Sequence, residues 1–309
     1  MLAMALPMAL VMASCGNSTP KENKTEKQEK QETTEVTPAQ QPEAEVVEVQ
    51  PEEKEPSFPW DYPEGVKNEG LAEGQQILSI HSFYPNKLKE SKDPANETYI
   101  FYNAKLQSVG DTQSPVKYFG EDIEMPNSLI IPIPMEQTAQ KGDIVLTWWQ
   151  TGSGMQRALV TNASDPSSPI VDYLDLGYQD DGEGFANKHA DEQIKPNTFV
   201  VLQDGAWQPG AQIVVTGDGS YTAGQLISFT DDKALLKTFG GKIQVFKKAD
   251  CKVVPLNQNL KAGDAVRAIF TSSYKDGYTV KKVNPKIGRV WVEGGYGDKI
   301  VSILEVYKE

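Results

Sequence analysis

The sequence predicts an all-β protein that follows an N-terminal segment with no fold of its own. Between residues 70 and 309, short runs rich in β-branched and aromatic residues are broken by Gly, Asp or Pro about every 8–12 residues, the spacing of small sandwiches and barrels. Only residues 184–193 keep a helical period, and for no more than a turn. The chain is 39% hydrophobic, below the roughly 45–50% of an average globular protein, so part of it is not expected to fold.

The expected strands follow one another with turn residues between them. Asp-Gly, Asp-Asp and Gly-Gly pairs at positions 218–219, 231–232, 240–241 and 276–277 suit hairpin turns, because these residues tolerate positive φ. The run at residues 128–134 contains two prolines and is expected to be an edge strand. The strands are expected at residues 76–81, 98–108, 128–134, 143–149, 156–162, 170–176, 198–202, 211–215, 225–229, 234–239, 243–246, 252–256, 265–270, 278–283, 289–292 and 300–306.

The first 14 residues are apolar and small and stand directly before Cys15. They are too short to span a bilayer as a helix and fit the apolar region of a secretory signal peptide. The end of this stretch, Met12-Ala13-Ser14-Cys15, resembles the lipobox of bacterial lipoproteins. The resemblance implies cleavage before Cys15 and a diacylglycerol on its thiol; the alternative is an ordinary buried or linker cysteine.

Residues 15–57 are expected to form a disordered tether. From residue 16 to 57 the chain holds eleven Glu, no Asp, five Lys and no aromatic residue. With so little apolar surface this stretch cannot offset the entropy of ordering. A flexible chain of this length spans about 35–40 Å on average. It serves as a passive spacer or, alternatively, as a docking tail. The combination of a lipobox-like cysteine and a Lys/Glu spacer resembles lipoproteins of Bacteroidota.

The overall charge excludes some classes of partner. With 43 acidic against 30 basic residues the formal net charge is −13. Nucleic acids and anionic lipid surfaces are bound by basic surfaces, so no nucleic-acid partner is expected. Two His and two Cys are four ligands in all, and Cys15 is expected to carry a lipid, so a structural zinc site with four such ligands is not expected.

A weak internal repeat divides the β region. Residues 141–177 and 262–298 each begin with Gly-Asp and a strand that ends in an aromatic residue, and two further strands follow. Residues 210–256 have the same rhythm of strands without the Gly-Asp start. The repeat predicts a row of small β modules.

The repeat is similar to the Tudor/agenet group of SH3-like small barrels. The resemblance covers residues 140–309 and implies tandem SH3/Tudor-like small barrels. The residues that carry it in the first copy are Gly142, Asp143, Val145, Trp149, Arg157, Ala158, Val160, Val171, Tyr173, Asp175 and Gly177. In the last copy they are Gly263, Asp264, Val266, Phe270, Val283 and Val290.

Five aromatic residues are candidate contacts for a ligand or partner: Trp148, Trp149, Tyr173, Trp291 and Tyr296. By the resemblance, Trp149 and Tyr173 would form walls of an aromatic cage; packing in the core or at its rim is the alternative. Because neighbouring strand residues point to opposite faces, Trp148 and Trp149 cannot both lie in one barrel core. The second tryptophan is therefore either covered by an adjacent module or exposed.

The remaining reactive residues form no recognisable site. Asp180, Asp181 and Glu183 are close enough to suit Ca²⁺ but lack the spacing of an EF-hand loop. His81 and His189 have no partner at ligand spacing, and Cys251 is expected in a half-buried strand. No nucleophile elbow, phosphate loop or HExxH motif is present, so catalytic residues, metals and cofactors are not expected.

The expected organisation is a signal peptide (1–14), a lipidated tether (15–57), a β-rich module (58–139) and three small barrels (140–205, 206–257 and 258–309). The expected function is that of a non-enzymatic lipoprotein of the cell envelope. It would be anchored through its N-terminal lipid, in the outer membrane or at the cell surface rather than in the inner membrane. Small barrels offer edges and loops to extended segments, so the expected partner is an envelope protein or peptide. The alternatives are a glycan-binding protein that uses exposed Trp and Tyr, and a carbohydrate-active enzyme.

Overall fold

Antiparallel β-strands make up nearly all of the regular structure, and the predicted all-β fold is confirmed. The structure is a computed structural model that describes residues 68–81, 90–118, 120–150, 154–179, 184–185, 191–217 and 219–309. Short 3-10 helices lie between strands at Pro94–Asn96, Asn127–Leu129, Phe239–Gly241, Lys248–Asp250 and Ile303–Glu305. The signal peptide and the tether lie outside the described residues.

Two five-stranded sheets form the first half of the described chain. The first module consists of β1 (Gln76–Ile80), β2 (Phe101–Leu106), β3 (Gln113–Tyr118), β4 (Glu121–Pro126) and β5 (Ile131–Pro132). The second consists of β6 (Ile144–Trp148), β7 (Met155–Asn162), β8 (Ile170–Tyr173), β11 (Glu192–Gln193) and β12 (Val200–Val201), with a separate hairpin of β9 (Tyr178–Gln179) and β10 (Gly184–Phe185) between β8 and β11.

A continuous ten-stranded sheet carries the third and fourth modules. The third consists of β13 (Gln212–Val215), β14 (Thr222–Phe229), β15 (Lys233–Thr238), β16 (Ile243–Lys247) and β17 (Cys251–Val253). The fourth consists of β18 (Ala265–Phe270), β19 (Ser273–Asn284), β20 (Arg289–Gly294), β21 (Lys299–Ser302) and β22 (Val306–Tyr307). The two are joined by the pairing of Thr222 with Ser273.

All four modules have the same strand order. Strands one to four form an antiparallel meander, and the fifth strand returns to pair with the first. The fourth and fifth strands do not pair with each other, so each sheet stays open on that side. In three of the modules a 3-10 helix directly precedes the fifth strand. The described chain is thus a tandem array of small barrel-like modules, as the sequence predicts.

Each module also begins with the same turn. A glycine with positive φ donates its N–H to the carbonyl of a residue in the second strand. The N–H of that same second-strand residue donates to the carbonyl of the residue after the glycine. The pairs are Gly74 with Leu106, Gly142 with Val160, Gly210 with Leu226 and Gly263 with Val280. After two of these glycines, the carboxylates of Asp143 and Asp264 accept a backbone N–H three residues earlier, at 2.7 and 2.8 Å. The Gly-Asp repeat therefore marks a turn that is also present in the other two modules, where the glycine is not followed by Asp.

Several strand boundaries differ from the sequence-based expectation. Strands β3 and β4 are not predicted by the sequence, because β3 contains Pro115 and β4 is an acidic edge strand with little apolar character. The Asp276-Gly277 pair lies inside β19 rather than at a hairpin turn, and Thr271, with a φ of 60°, takes the turn instead. The described parts of residues 184–193 are strands rather than a helical turn. Strand β5 is an edge strand, as expected.

The largest apolar cluster draws residues from all four modules, and we call it the shared core. It includes Leu78, Leu146, Ile227 and Leu304, one from each module in order. The second, third and fourth modules also have smaller cores of their own. Because strand residues alternate between faces, Leu226 fills the core of the third module while Ile227 enters the shared core. The four modules are packed against one another and share part of their core.

A buried arginine joins the second module to the third. The guanidinium of Arg157 donates to both carboxylate oxygens of Asp175, with 2.6 Å as the shortest distance, and its Nη1 donates to Gln212 Oε1 at 2.7 Å. The two charged side chains are 6% and 22% exposed. Burial by itself raises the pKa of Asp175, but the Arg157 charge and hydrogen bonds outweigh burial and hold that pKa below its usual value.

A second buried arginine joins the fourth module to the second. Arg289 donates to the carbonyls of Tyr173, Leu174 and Leu176, at 2.7–3.1 Å, at the end of β8 and just after it. At the preceding residue, Gly288, φ is +62° and a Cβ would lie 2.6 Å from Leu174 Cδ2. Only glycine allows this close approach of the two modules.

Candidate functional site

The two adjacent tryptophans occupy different cores. Trp148, 7% exposed, packs in the shared core, where it is covered by neighbouring modules. Trp149 is half-buried and packs against the core of its own module, with Val145 and Phe199. Of the two arrangements that alternation allows, the covered one is found for Trp148, so it presents no face to a ligand.

Tyr173 is fully buried in the same module core as Trp149. Its hydroxyl donates to the Trp148 carbonyl at 3.2 Å and accepts the Gln150 N–H at 3.3 Å. Burial raises its pKa far above the usual value. The structure thus brings together the two residues that the Tudor resemblance assigns to a cage, but it places them as packing residues.

Trp291 lies on β20 and is partly buried. Its ring stands edge-on to Tyr178, with centroids 6.1 Å apart. Lys282 Nζ lies 4.3 Å from the centroid of the Trp291 ring, a cation–π arrangement. Parts of this ring are therefore already in contact with groups of the chain itself.

Tyr296 lies at the surface, within a cluster of three aromatic rings in the fourth module. Its ring centroid lies 5.1 Å from that of Phe270 and 6.2 Å from that of Tyr278. Phe270 and Tyr296 are 43% and 50% exposed, whereas Tyr278 is buried beneath them. We call Phe270, Tyr278 and Tyr296 the aromatic surface.

Lys299 packs against the aromatic surface. Its ammonium group donates to the Ile269 carbonyl and lies 4.6 Å from the Tyr278 ring and 5.7 Å from the Phe270 ring. Burial lowers the pKa of Lys299 below its usual value, because the ammonium group is partly removed from water. One cation thus contacts two of the three rings.

Exposed carboxylates lie close in sequence to the residues of the aromatic surface. Asp276 is two residues from Tyr278, and Asp298 is two residues from Tyr296. Glu293 and Asp298 both pair with Lys281, at 3.0 and 3.5 Å. Asp276 pairs with Arg267 at 3.6 Å. These solvent-exposed pairs are weak, and they leave charges of both signs beside the rings.

Sequence reasoning identifies Tyr296 but misses Phe270, Tyr278 and Lys299. A signal for Phe270 is present in the repeat, because it follows Gly263 by seven residues, as Trp149 follows Gly142. The roles of Tyr278 and Lys299 depend on cross-strand geometry, which the repeat does not specify.

Other candidate groups offer no reactive site in the part of the chain that the structure describes. Cys251 is buried in β17, and burial, with the nearby Asp250 charge, raises its thiol pKa to about 11, so it is a poor nucleophile. The His81 ring lies 5.4 Å from Tyr102 and 5.9 Å from Tyr118. The described ranges contain no group of three or more His, Cys, Asp or Glu arranged to hold a metal ion. Cys15, Asp180, Asp181, Glu183 and His189 lie outside the described residues.

Comparisons with known proteins give no family assignment. No protein-family model matches the chain, and no curated protein matches it significantly. In the described ranges, no helix is both long enough and apolar enough to cross a bilayer.

Proposed function

We propose that the protein is a lipid-anchored, non-enzymatic binding protein of the bacterial cell envelope that holds an envelope protein or peptide through its aromatic surface. The observation that carries the proposal is the pair of exposed rings, Phe270 and Tyr296, 5.1 Å apart on a packed array of modules. Exposed aromatic residues that are fixed in place are typical anchors of protein–protein interfaces.

The fixed position of the rings supports a binding role. Before any partner arrives, Lys299 already contacts the Phe270 and Tyr278 rings, and Tyr278 packs beside Tyr296. Ordering side chains at an interface costs free energy, so rings that are already ordered lose less on association. The shared core adds rigidity, because the fourth module cannot swing freely relative to the others.

The groups beside the rings indicate the character of the partner. The exposed carboxylates near the rings pair with Arg267 and Lys281, so neither sign of charge dominates there. The expected partner segment therefore contacts Phe270 and Tyr296 through an apolar side chain.

Replacing each exposed ring in turn tests the binding role. Phe270→Ser and Tyr296→Ser are expected to lower the recovery of the cross-linked partner from native envelopes at least tenfold. Met135→Ser, which removes an exposed apolar side chain of the first module, is the matched control and should leave recovery unchanged. Unchanged recovery in both ring variants contradicts the proposal, as does a purified glycan that binds with the same dependence on Tyr296.

The anchor is supported by the lipobox-like sequence that ends at Cys15. An acyl chain contributes about 0.8 kcal/mol per buried methylene, so several chains give firm attachment. Cys15→Ser should move the protein from the membrane fraction to the soluble fraction, as measured by fractionation and immunoblotting. Cys251→Ala, which removes the buried thiol, should leave it in the membrane fraction. Membrane retention of Cys15→Ser contradicts lipid anchoring.

A further inference from the structure

A polar crevice lies where the second, third and fourth modules meet, next to the strand end that carries Phe270. It encloses about 350 Å³, and side chains of β7, β14 and β15 line it. Gln225 and Lys237 are direct partners across β14 and β15. Directly opposed residues of antiparallel strands point to the same face, so these two side chains lie side by side.

One amide group in this crevice is buried without a partner. Gln225 is 7% exposed, and its Nε2 makes no hydrogen bond to any described residue. Because buried polar atoms are nearly always hydrogen-bonded, a free donor in a crevice points to a bound acceptor group.

The crevice also has an uncompensated positive charge. Arg157 and Asp175, which line it, neutralise each other. The ammonium group of Lys237 makes no ion pair within the described part of the chain, and the nearest opposing charge, Asp175, is already held by Arg157. Burial lowers the pKa of Lys237, which an anion bound beside it would raise again.

We propose that this crevice binds a peptide C terminus, with the carboxylate accepting hydrogen bonds from Lys237 and Gln225. Phe239 and Ile269 line the same crevice and offer apolar contacts to the terminal side chain. These apolar contacts favour a peptide over a sugar acid, which has hydroxyl groups in that position. The site borders the strand end that carries Phe270, but Lys237 and Gln225 are not part of the aromatic surface, so the proposal does not depend on the function proposed there.

Calorimetry on the purified full chain tests the site with acetyl-Ala-Ala as the free acid and as the amide. The free acid is expected to bind, and the amide at least tenfold more weakly, because it lacks the charge that Lys237 pairs with. Lys237→Met should weaken binding of the free acid at least tenfold, and Gln225→Met about threefold or more. Lys233→Met, on the same strand but outside the crevice, is the matched control and should leave affinity unchanged.

A second measurement does not depend on whether a variant folds. The pKa of Lys237 in the unaltered protein, followed by NMR of ¹³C-dimethylated lysine, should rise when the free acid binds and should not change with the amide. Equal binding of acid and amide, no binding of either at millimolar concentration, or an unchanged Lys237 pKa overturns the proposal. Binding of glucuronate or inorganic phosphate in place of the peptide acid also overturns it.

Discussion

The second and fourth modules share a strand order and an initial turn but differ in the burial of the aromatic residue at the end of the first strand. In the second module Trp149 is half-buried against the module core, whereas in the fourth Phe270 is 43% exposed. The difference follows from the connection between the third and fourth strands. It runs from Leu174 to Asp191 in the second module and only from Gly295 to Asp298 in the fourth.

A long connection supplies covering side chains, and a short one does not. Leu176, from the long connection, packs in the same cluster as Trp149. The short Gly295–Asp298 connection contributes Tyr296, which remains exposed beside Phe270. The comparison teaches that the small-barrel frame alone does not make a binding site. The long connection between the third and fourth strands covers Trp149 in the second module, and the short one leaves Phe270 exposed in the fourth.

The largest difference in lost stability is expected between substitutions of Tyr173 and of Tyr296. Tyr173→Ala should lower the free energy of unfolding by about 3–5 kcal/mol, because it empties a fully buried site and removes a hydrogen-bonded hydroxyl. Tyr296→Ala should change it by less than about 0.5 kcal/mol, because the ring is half exposed. Urea unfolding measures both; similar losses for the two variants would mean that the fourth-module ring is also a packing residue.

A smaller difference in lost stability is expected between substitutions of two arginines. Arg157→Met should cost about 2–3 kcal/mol, because it removes a buried guanidinium and leaves the buried Gln212 Oε1 without its donor. Arg267→Met, in the fourth module, should cost less than about 1 kcal/mol, because its ion pairs with Asp276 and Glu309 are exposed. The same urea measurement compares them, and an Arg157→Met variant as stable as Arg267→Met would contradict a structural role for the buried pair.

Two glycines with positive φ test the contact between the second and fourth modules. Gly288→Ala should cost about 2 kcal/mol, since it combines backbone strain with a clash against Leu174. Gly277→Ala has similar strain with no atom near its Cβ, and it should cost about 1 kcal/mol. Thermal or urea unfolding separates the two. Equal costs would show that the close approach to Leu174 contributes nothing.

The smallest expected effect is a dependence on acid pH. Because the folded pKa of Asp175 is depressed, its carboxylate stabilises the fold above the unfolded pKa of about 3.9, and this contribution is lost as the pH falls through the folded pKa. The stability difference between the unaltered protein and Asp175→Asn should therefore shrink between pH 6 and about pH 3. Asp111→Asn, in an exposed loop, is the control. A difference that stays constant with pH contradicts the ion pair.

The strand rhythm and the Gly-Asp repeat were sufficient to predict an all-β array of small modules, because hairpin turns and alternating strands leave local marks in a sequence. The first module was not recognised as a member of the repeat, since its turn uses Gly74-Gln75 and its acidic strand β4 lacks an apolar pattern. The burial of Trp148 could not be predicted, because it depends on contacts between modules that are distant in sequence. The same holds for the exposure of Phe270, which depends on loop length.

Site-specific photo-cross-linking in the native envelope tests the binding role of the aromatic surface most directly. Benzoylphenylalanine would replace Tyr296 in one version of the full chain and Met135, an exposed residue of the first module, in another. We predict one discrete protein adduct from position 296, absent from position 135 and lost when Phe270→Ser is added. The same adducts from both positions, an adduct that survives Phe270→Ser, or attachment only to carbohydrate would contradict the account.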